Sequence, residues 1–276
     1  MLIKFRNPAR SRYSKGAVTV STQDHTGFAG FSRIFRKRMG KAISDFDLIQ
    51  EGDSILVGLS GGKDSMALLL ALREMQIRSP VPFSLQAGTM DISEGKRDLS
   101  PIGNFCEKLG VPWTIVPYPI LDIIEKRQER SPCSLCANIR RGLLCNMARE
   151  RGCKILALGH NLDDVVETVL LNMFHTGRFT CFRPKAWLSR SDVWIIRPFI
   201  YIEESHIRSE VSRIGIPVLD NICPFDDQTQ RQHVKDLVAH LRGGIPDIKQ
   251  NILRSLSRWT PSDRWNIRDP QESSKK

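Results

Sequence analysis

The sequence predicts an α/β fold, a doubly wound and mostly parallel sheet with a helical C-terminal region. Three observations carry that expectation. Short apolar runs rich in β-branched residues alternate with longer segments whose apolar residues recur at helical spacing. A glycine-rich turn, Ser60-Gly61-Gly62-Lys63, joins the first run to the first of those helical segments. The alternation stops near Pro224, and beyond it the pattern is helical alone.

Taken in order, residues 1–30 mix Gly, Ser, Thr and basic side chains without apolar periodicity and read as a flexible basic arm. Residues 31–50 form a basic amphipathic segment. Within 51–222, residues 53–59, 83–90, 113–116, 154–158 and 193–196 read as strands, and 64–75, 100–109, 137–149 and 163–174 as helices. Residues 223–258 hold two further helices, 229–241 and 246–256, and 259–276 read as a frayed polar tail.

Composition narrows the function. The 276 residues contain no apolar run near the roughly 20 residues that span a bilayer, and the N-terminus lacks the apolar stretch of a secretory signal. Seven cysteines, an odd number in a chain this long, fit reduced thiols in a reducing compartment better than a disulfide framework. The expected location is the cytoplasm. Of the net charge of +11, residues 1–44 carry ten Lys/Arg against the single acid Asp24. A basic arm on a nearly balanced body suits a polyanion such as RNA. A solvated tail and an organellar transit peptide are the other readings of the same residues.

The strongest local feature is Val57-Gly-Leu-Ser-Gly-Gly-Lys-Asp-Ser65. A strand enters, two glycines let the backbone turn close to a ligand, and a helix leaves. Amides at a helix N-terminus bind phosphate. Lys63 adds a full charge, Ser60 and Ser65 add hydroxyls, and Asp64 suits Mg²⁺ held beside phosphates. The spacing is not that of a Walker A loop: three residues separate Gly58 from Gly62, and Lys63 is followed by Asp64. A second candidate, Gly159-His-Asn-Leu-Asp-Asp164, follows a strand and opens a helix, with Glu167 one turn on. Asp163 and Asp164 could cap that helix; alternatively His160 and Asp164 reach phosphates and Mg²⁺.

Pro132-Cys-Ser-Leu-Cys136 is a C-x-x-C, open to three readings: half a zinc site, a redox pair or an iron–sulfur ligand pair. Cys145 and Cys153 sit in or beside apolar helical segments and read as core. Cys223, before Pro224, lies where the α/β pattern ends. Cys133, Cys136 and Cys223 would supply three thiolates, one fewer than a four-iron cluster takes, leaving one iron open to sulfide or substrate.

SGGKDS resembles the PP-loop of the N-type ATP pyrophosphatases, the adenine nucleotide α-hydrolase-like superfamily. Together with PCSLCANIRRG, ALGHNLDDVVETVLLNMF, IIRPFIYIEE and a Cys-Pro loop, it is similar to the tRNA 2-thiocytidine synthetase family (TtcA) over residues 31–241. Many relatives carry a second His where this chain has Asn161. The resemblance implies that residues 51–222 form the PP-loop ATP-binding domain with a cluster-binding insertion. Its cofactors are ATP, Mg²⁺ and a [4Fe-4S] cluster. Ser60, Gly61, Gly62, Lys63, Asp64, Ser65, Gly159, His160 and Asp164 then hold ATP, with Asp64 and Asp164 on Mg²⁺ and adenine near residues 87–90. Cys133, Cys136 and Cys223 match the cluster ligands and, with Lys63 and Asp64, the catalytic set. The implied reaction adenylates the 2-oxo group of cytidine 32 in the tRNA anticodon loop and replaces that oxygen by sulfur. Arg140 and Arg141 are candidates for RNA phosphates. The implied partners are tRNA and a sulfur donor such as a cysteine desulfurase system, with a homodimer and no membrane association.

Rival readings share parts of this pattern. A sister family thiolates a uridine and carries extra zinc-binding cysteine pairs at both chain ends, absent here. A lysidine-type tRNA ligase or a small-molecule adenylating enzyme shares the ATP chemistry without a cluster. A non-catalytic RNA-binding relative would have no need of Lys63, Asp64 and Asp164.

Overall fold

The structure, a computed structural model, describes residues 27–93, 95–127, 132–220 and 230–258, with backbone alone at 121, 125–127 and 132–134. The basic arm up to residue 26, Cys223 and the tail past 258 lie outside the described residues.

Six strands form one sheet in the order β3-β2-β1-β4-β6-β5. These are β1 Ser54–Leu59, β2 Ser84–Asp91, β3 Trp113–Pro117, β4 Ile155–Ala157, β5 Lys185–Leu188 and β6 Val193–Ile196. All neighbours pair in parallel except β5, which runs antiparallel to β6 at the edge. The central strands are apolar on both faces, with Ile55, Leu56, Val57, Leu156 and Ala157 buried, as a parallel sheet covered on both sides requires. From β1 the chain winds outward through β2 to β3, then returns to place β4 on the other side of β1. This reversal is the topological switch point, where ligands bind at the C-terminal strand ends.

Nine helices cover the sheet among the described residues: α1 Arg33–Asp45, α2 Lys63–Arg78, α3 Ser100–Lys108, α4 Ile120–Arg127, α5 Pro132–Glu150, α6 Leu162–Thr176, α7 Glu204–Ile214, α8 Gln230–Arg242 and α9 Ile248–Arg258. None is long and apolar enough to cross a membrane. One core joins α1, α2, α3 and α7 to the sheet through Phe35, Leu69, Leu72, Phe105 and Ile207. On the other side, α5 packs Cys145, Met147 and Ala148 against Leu56, Leu156 and Ile195. The helices α8 and α9 close over α6 through Val234, Val238 and Ile248 on Leu162 and Val166.

Three elements were not expected from the sequence: α4, the edge strand β5 and α7. The helix α5 also starts at Pro132 rather than 137, so the C-x-x-C occupies its first turn. The segment read as basic and amphipathic is α1, and its apolar side is structural. Phe31 and Phe35 stack with ring centroids 4.3 Å apart, and Phe35 meets Phe199 edge-on. Helix α1 is capped by Ser32 and tied to α7, where the Ser32 N–H donates to Glu210.

Phe35 is fully buried. Phe35→Ala is therefore expected to destabilise the chain by about 3–5 kcal/mol in chemical denaturation. A loss below about 1 kcal/mol would show that α1 is an appendage.

Candidate functional site

The loop after β1 is folded by its own side chains. Ser65 Oγ donates to the Gly62 carbonyl at 2.9 Å, the Ser60 N–H donates to Ser65 Oγ, and the Gly62 N–H donates to Ser60 Oγ. Gly61 turns the chain at φ +82°, and a Cβ there would sit 3.0 Å from Leu219. Its carbonyl accepts from the Leu219 N–H at 2.9 Å. Gly62 is the N-cap of α2 and provides no side-chain cap, so the first amides of α2 have no side-chain acceptor from the cap position. Ser65 serves here as a brace of the loop, beyond the hydroxyl donor expected from the sequence.

The loop after β4 meets it. Gly159 lies against the start of α2, where a Cβ would come within 3.0 Å of the Asp64 backbone. Asn161 caps α6 by accepting from the N–H groups of Asp163 and Asp164, and its own N–H donates to Asp164 Oδ2 at 2.9 Å. Its Nδ2 donates to Asp64 Oδ1 at 3.3 Å. Thus an amide at 161 couples the two aspartates. Asp163 turns away from this pair, accepting from the Glu204 N–H and pairing with Lys249 at 2.6 Å.

Lys63 is held between two carboxylates, Asp64 at 2.9 Å and Glu204 at 2.7 Å. Glu204 also pairs with Lys235 at 3.3 Å, which lies 3.8 Å from Glu167. Glu167 pairs with Arg231 at 2.8 Å, and Arg231 with Asp164 at 2.9 Å. Through Asn161 the series returns to Asp64. The result is a closed ring of mostly alternating charge across α2, α7, α8 and α6.

Burial pushes the Asp64 carboxyl up against the pull of Lys63, with Asp164 and Glu204 acting in the same upward sense. Burial also raises Asp164, and pushes Glu167 up to about 7 despite Arg231 and Lys235. Burial alone would raise Glu204, yet Lys63 and Lys235 hold it down at about 2. Two desolvated, mutually repelling carboxylates at the end of a parallel sheet have the chemistry of a divalent-cation site, with Asp64 and Asp164 as the oxygens.

Ser60, Asp64, Ser65, Gly159, His160 and Asp164 line one cavity of about 470 Å³, together with Thr89 and Met90 at the end of β2. Gly61, Gly62 and Lys63 lie off its described wall. Helix α5 contributes Arg140 and Arg141, and Arg197 follows directly on β6. Burial, with Arg197, Arg231 and Arg141 nearby, pushes His160 down to about 3, so it is neutral. Its Nδ1 accepts from Arg197 Nε at 3.3 Å, which leaves the ring proton on Nε2.

Of the cysteines, Cys145 and Cys153 are core, as expected, and so is Cys106, which burial pushes up to about 12. Cys136 is half-buried beside Ile92, Ile120 and Ile124, one helical turn before Arg140. Position 133 is one turn before 137 on the same helix, at its positive N-terminal end, where thiolates are favoured. Cys223 is outside the described residues, but both flanks of its segment are tied to the site. Leu219 bonds Gly61, Arg97 donates to the Asp220 carbonyl, and Arg231 pairs with Asp164 and Glu167. Among the described residues no three His, Cys, Asp or Glu side chains are grouped to hold a metal ion.

Residues 32–240 match the model of the PP-loop domain family. The chain is 37% identical over 248 residues to tRNA-cytidine(32) 2-sulfurtransferase of Pelobacter propionicus, covering 88% of this chain and 92% of that one. The enzyme of the same name from Bdellovibrio bacteriovorus is 37% identical, with 85% and 93% covered. The chain belongs to the PP-loop family of tRNA-cytidine(32) 2-sulfurtransferases. Among solved structures, the U34-tRNA thiolase NcsA from Methanococcus maripaludis with its [4Fe-4S] cluster aligns at TM-score 0.69 and 25% identity, over 82% of this chain and 77% of that one.

Sequence reasoning missed Glu204, Arg231 and Lys235 of the ring, along with Asn161 and Arg197 as working parts. The two acids Glu203 and Glu204, opening a helix soon after a strand, were the available signal for the first. Glu204→Gln leaves Lys63 and Lys235 each short of a carboxylate. It is expected to cost about 1–3 kcal/mol in urea denaturation. Unchanged stability would show that the ring does not brace the site.

Proposed function

We propose that this chain is a cytoplasmic ATP-dependent tRNA thiolase that converts the 2-oxo group of cytidine 32 to a thiocarbonyl. The observation that carries the reading is the cavity at the sheet's switch point. Its walls come from the phosphate loop, the aspartate pair and the helix that bears the C-x-x-C.

In this reading the first amides of α2 and the Ser60–Ser65 loop receive the triphosphate, with Thr89 and Met90 against the adenine. Asp64 and Asp164 would hold Mg²⁺, which would supply neutralising charge to the phosphates. Lys63 exchanges its contact with Asp64 for the leaving pyrophosphate, while Glu204 keeps it at the loop. The cytosine O2 attacks the α-phosphorus, the α–β phosphoanhydride bond breaks, and pyrophosphate departs. Activated C2 then accepts sulfide, and its C–O bond breaks with AMP as the leaving group. Arg140 and Arg141 at the cavity wall would hold RNA phosphates while the unstacked base enters.

Cys133, Cys136 and Cys223 would hold a [4Fe-4S] cluster, whose fourth iron supplies a site for sulfide. The neighbouring thiolase of known structure carries such a cluster. The C-x-x-C at a helix N-terminus supports thiolate ligands. Leu219, bonded to the phosphate loop, is four residues from Cys223, at most about 14 Å of extended chain. A cysteine desulfurase system is the expected sulfur donor.

The test is nucleoside mass spectrometry of tRNA from a strain lacking the gene, complemented with wild type or with Cys133→Ala, Cys136→Ala or Cys223→Ala. The expected result is 2-thiocytidine with wild type and none with any of the three variants. Thiolation that survives Cys223→Ala would contradict the cluster reading. TRNA without a missing thionucleoside in the deletion strain would defeat thiolation altogether.

A further inference from the structure

Arg197 directly follows β6 and is only 5% exposed, yet no ion pair joins it to a carboxylate among the described residues. Its described partners are neutral. Nη1 donates to the Arg183 carbonyl at 2.6 Å, Nε donates to His160 Nδ1, and the guanidinium lies 4.7 Å over the Phe182 ring. These contacts fix its orientation without balancing its charge. Burial brings its pKa down only to about 10, so it is a cation at neutral pH. Asp164 favours the Arg197 charge from a distance, without an ion pair, and is already engaged by Arg231 and by the Asn161 N–H. Neutral His160 adds no negative charge, and Arg141 adds another positive one. An isolated buried charge is costly unless an opposite charge meets it.

Arg197 faces the same cavity as Ser60, Asp64 and Thr89, two strands from the phosphate loop. Because Arg197 occupies His160 Nδ1, the second ring nitrogen is also a donor. The part of the wall formed by Arg197 and His160 therefore offers donors and positive charge, which suits an anionic oxygen, while Asp64 and Asp164 face the same cavity from the sheet's switch point.

We propose that Arg197 is a phosphate receptor of the cavity, its counter-ion a phosphate oxygen of the reacting species, with His160 positioning it. The proposal rests on the thiolase reading above. Shared cavity walls favour the nucleotide's α-phosphate as the source; the RNA phosphate beside the target base has the same chemistry. Arg197 is then distinct in role from Lys63, which lies off this wall beside Glu204.

The experiment is calorimetric titration of the full chain, wild type, Arg197→Lys and Arg197→Met, with AMP, pyrophosphate and an anticodon-loop RNA hairpin, alongside thermal melts. The expected result is AMP binding weakened about tenfold or more in both variants, with melting temperatures near wild type. Pyrophosphate and hairpin affinities are expected to change less than about threefold. A loss confined to the hairpin would instead assign the receptor to RNA. Unchanged affinity for all three ligands in folded variants would overturn it. So would collapse of the melting temperature in both variants, which would make Arg197 a structural brace. Wild type that binds neither AMP nor pyrophosphate would defeat the thiolase reading instead.

Discussion

The site depends on the ring that runs from Lys63 through Glu204, Lys235, Glu167, Arg231 and Asp164, and through Asn161 back to Asp64. Each carboxylate in it is pulled from water, and each is paired. Such pairs add little net stability compared with an apolar core, but removing one member leaves a charge uncompensated. The ring thereby couples geometry rather than simply adding strength. The start of α2 cannot shift without disturbing α6, α7 and α8. Helix α8 follows the segment that contains Cys223, and Leu219 before that segment is bonded to Gly61. The phosphate loop and the two described flanks of the cysteine segment are therefore fastened to the same frame.

That frame is a consequence of parallel-sheet topology. The reversal of strand order between β1 and β4 opens a crevice at the C-terminal ends, and each bordering strand delivers one component to it. The loop after β1 provides amides and leads to Asp64, β2 gives a lining of Thr89 and Met90, the loop after β4 brings His160 and leads to Asp164, and a buried guanidinium follows β6. Helix α5, on the opposite face from α2, adds arginines one turn beyond the C-x-x-C. Five separate stretches of chain thus meet in one cavity, which suits a reaction that must hold nucleotide, base and sulfur together.

Much of this was legible because it is local. The phosphate loop is written in six consecutive residues, and Gly159 to Asp164 announces itself by following an apolar run and opening a helix. The main strands, apolar on both faces, were readable from β-branched content. The ring was not readable, because Lys63 and Glu204 are 141 positions apart in sequence and a charge pattern gives no hint of its distant partner. Strand β5 is a four-residue edge strand without clean alternation. Helix α7 does carry Ile207, Val211 and Ile214 at helical spacing, but it follows irregular chain in which no boundary stands out. The basic charge of α1 drew attention to its solvent face and away from Phe35, which the sheet buries. Arg197 could not be singled out, since its significance lies in burial without a counter-charge.

The central claim is that the cysteine-bearing segments and the nucleotide share one pocket. Phosphorus-31 relaxation of bound ATP, measured on anaerobically prepared full-length protein, tests this directly. Reducing a [4Fe-4S] cluster makes it paramagnetic. The α-phosphorus signal should relax much faster in the reduced protein than in the oxidised one, and the difference should vanish in Cys223→Ala. Equal relaxation in both redox states, with the cluster and ATP both bound, would place the two too far apart for sulfur to reach an adenylated base.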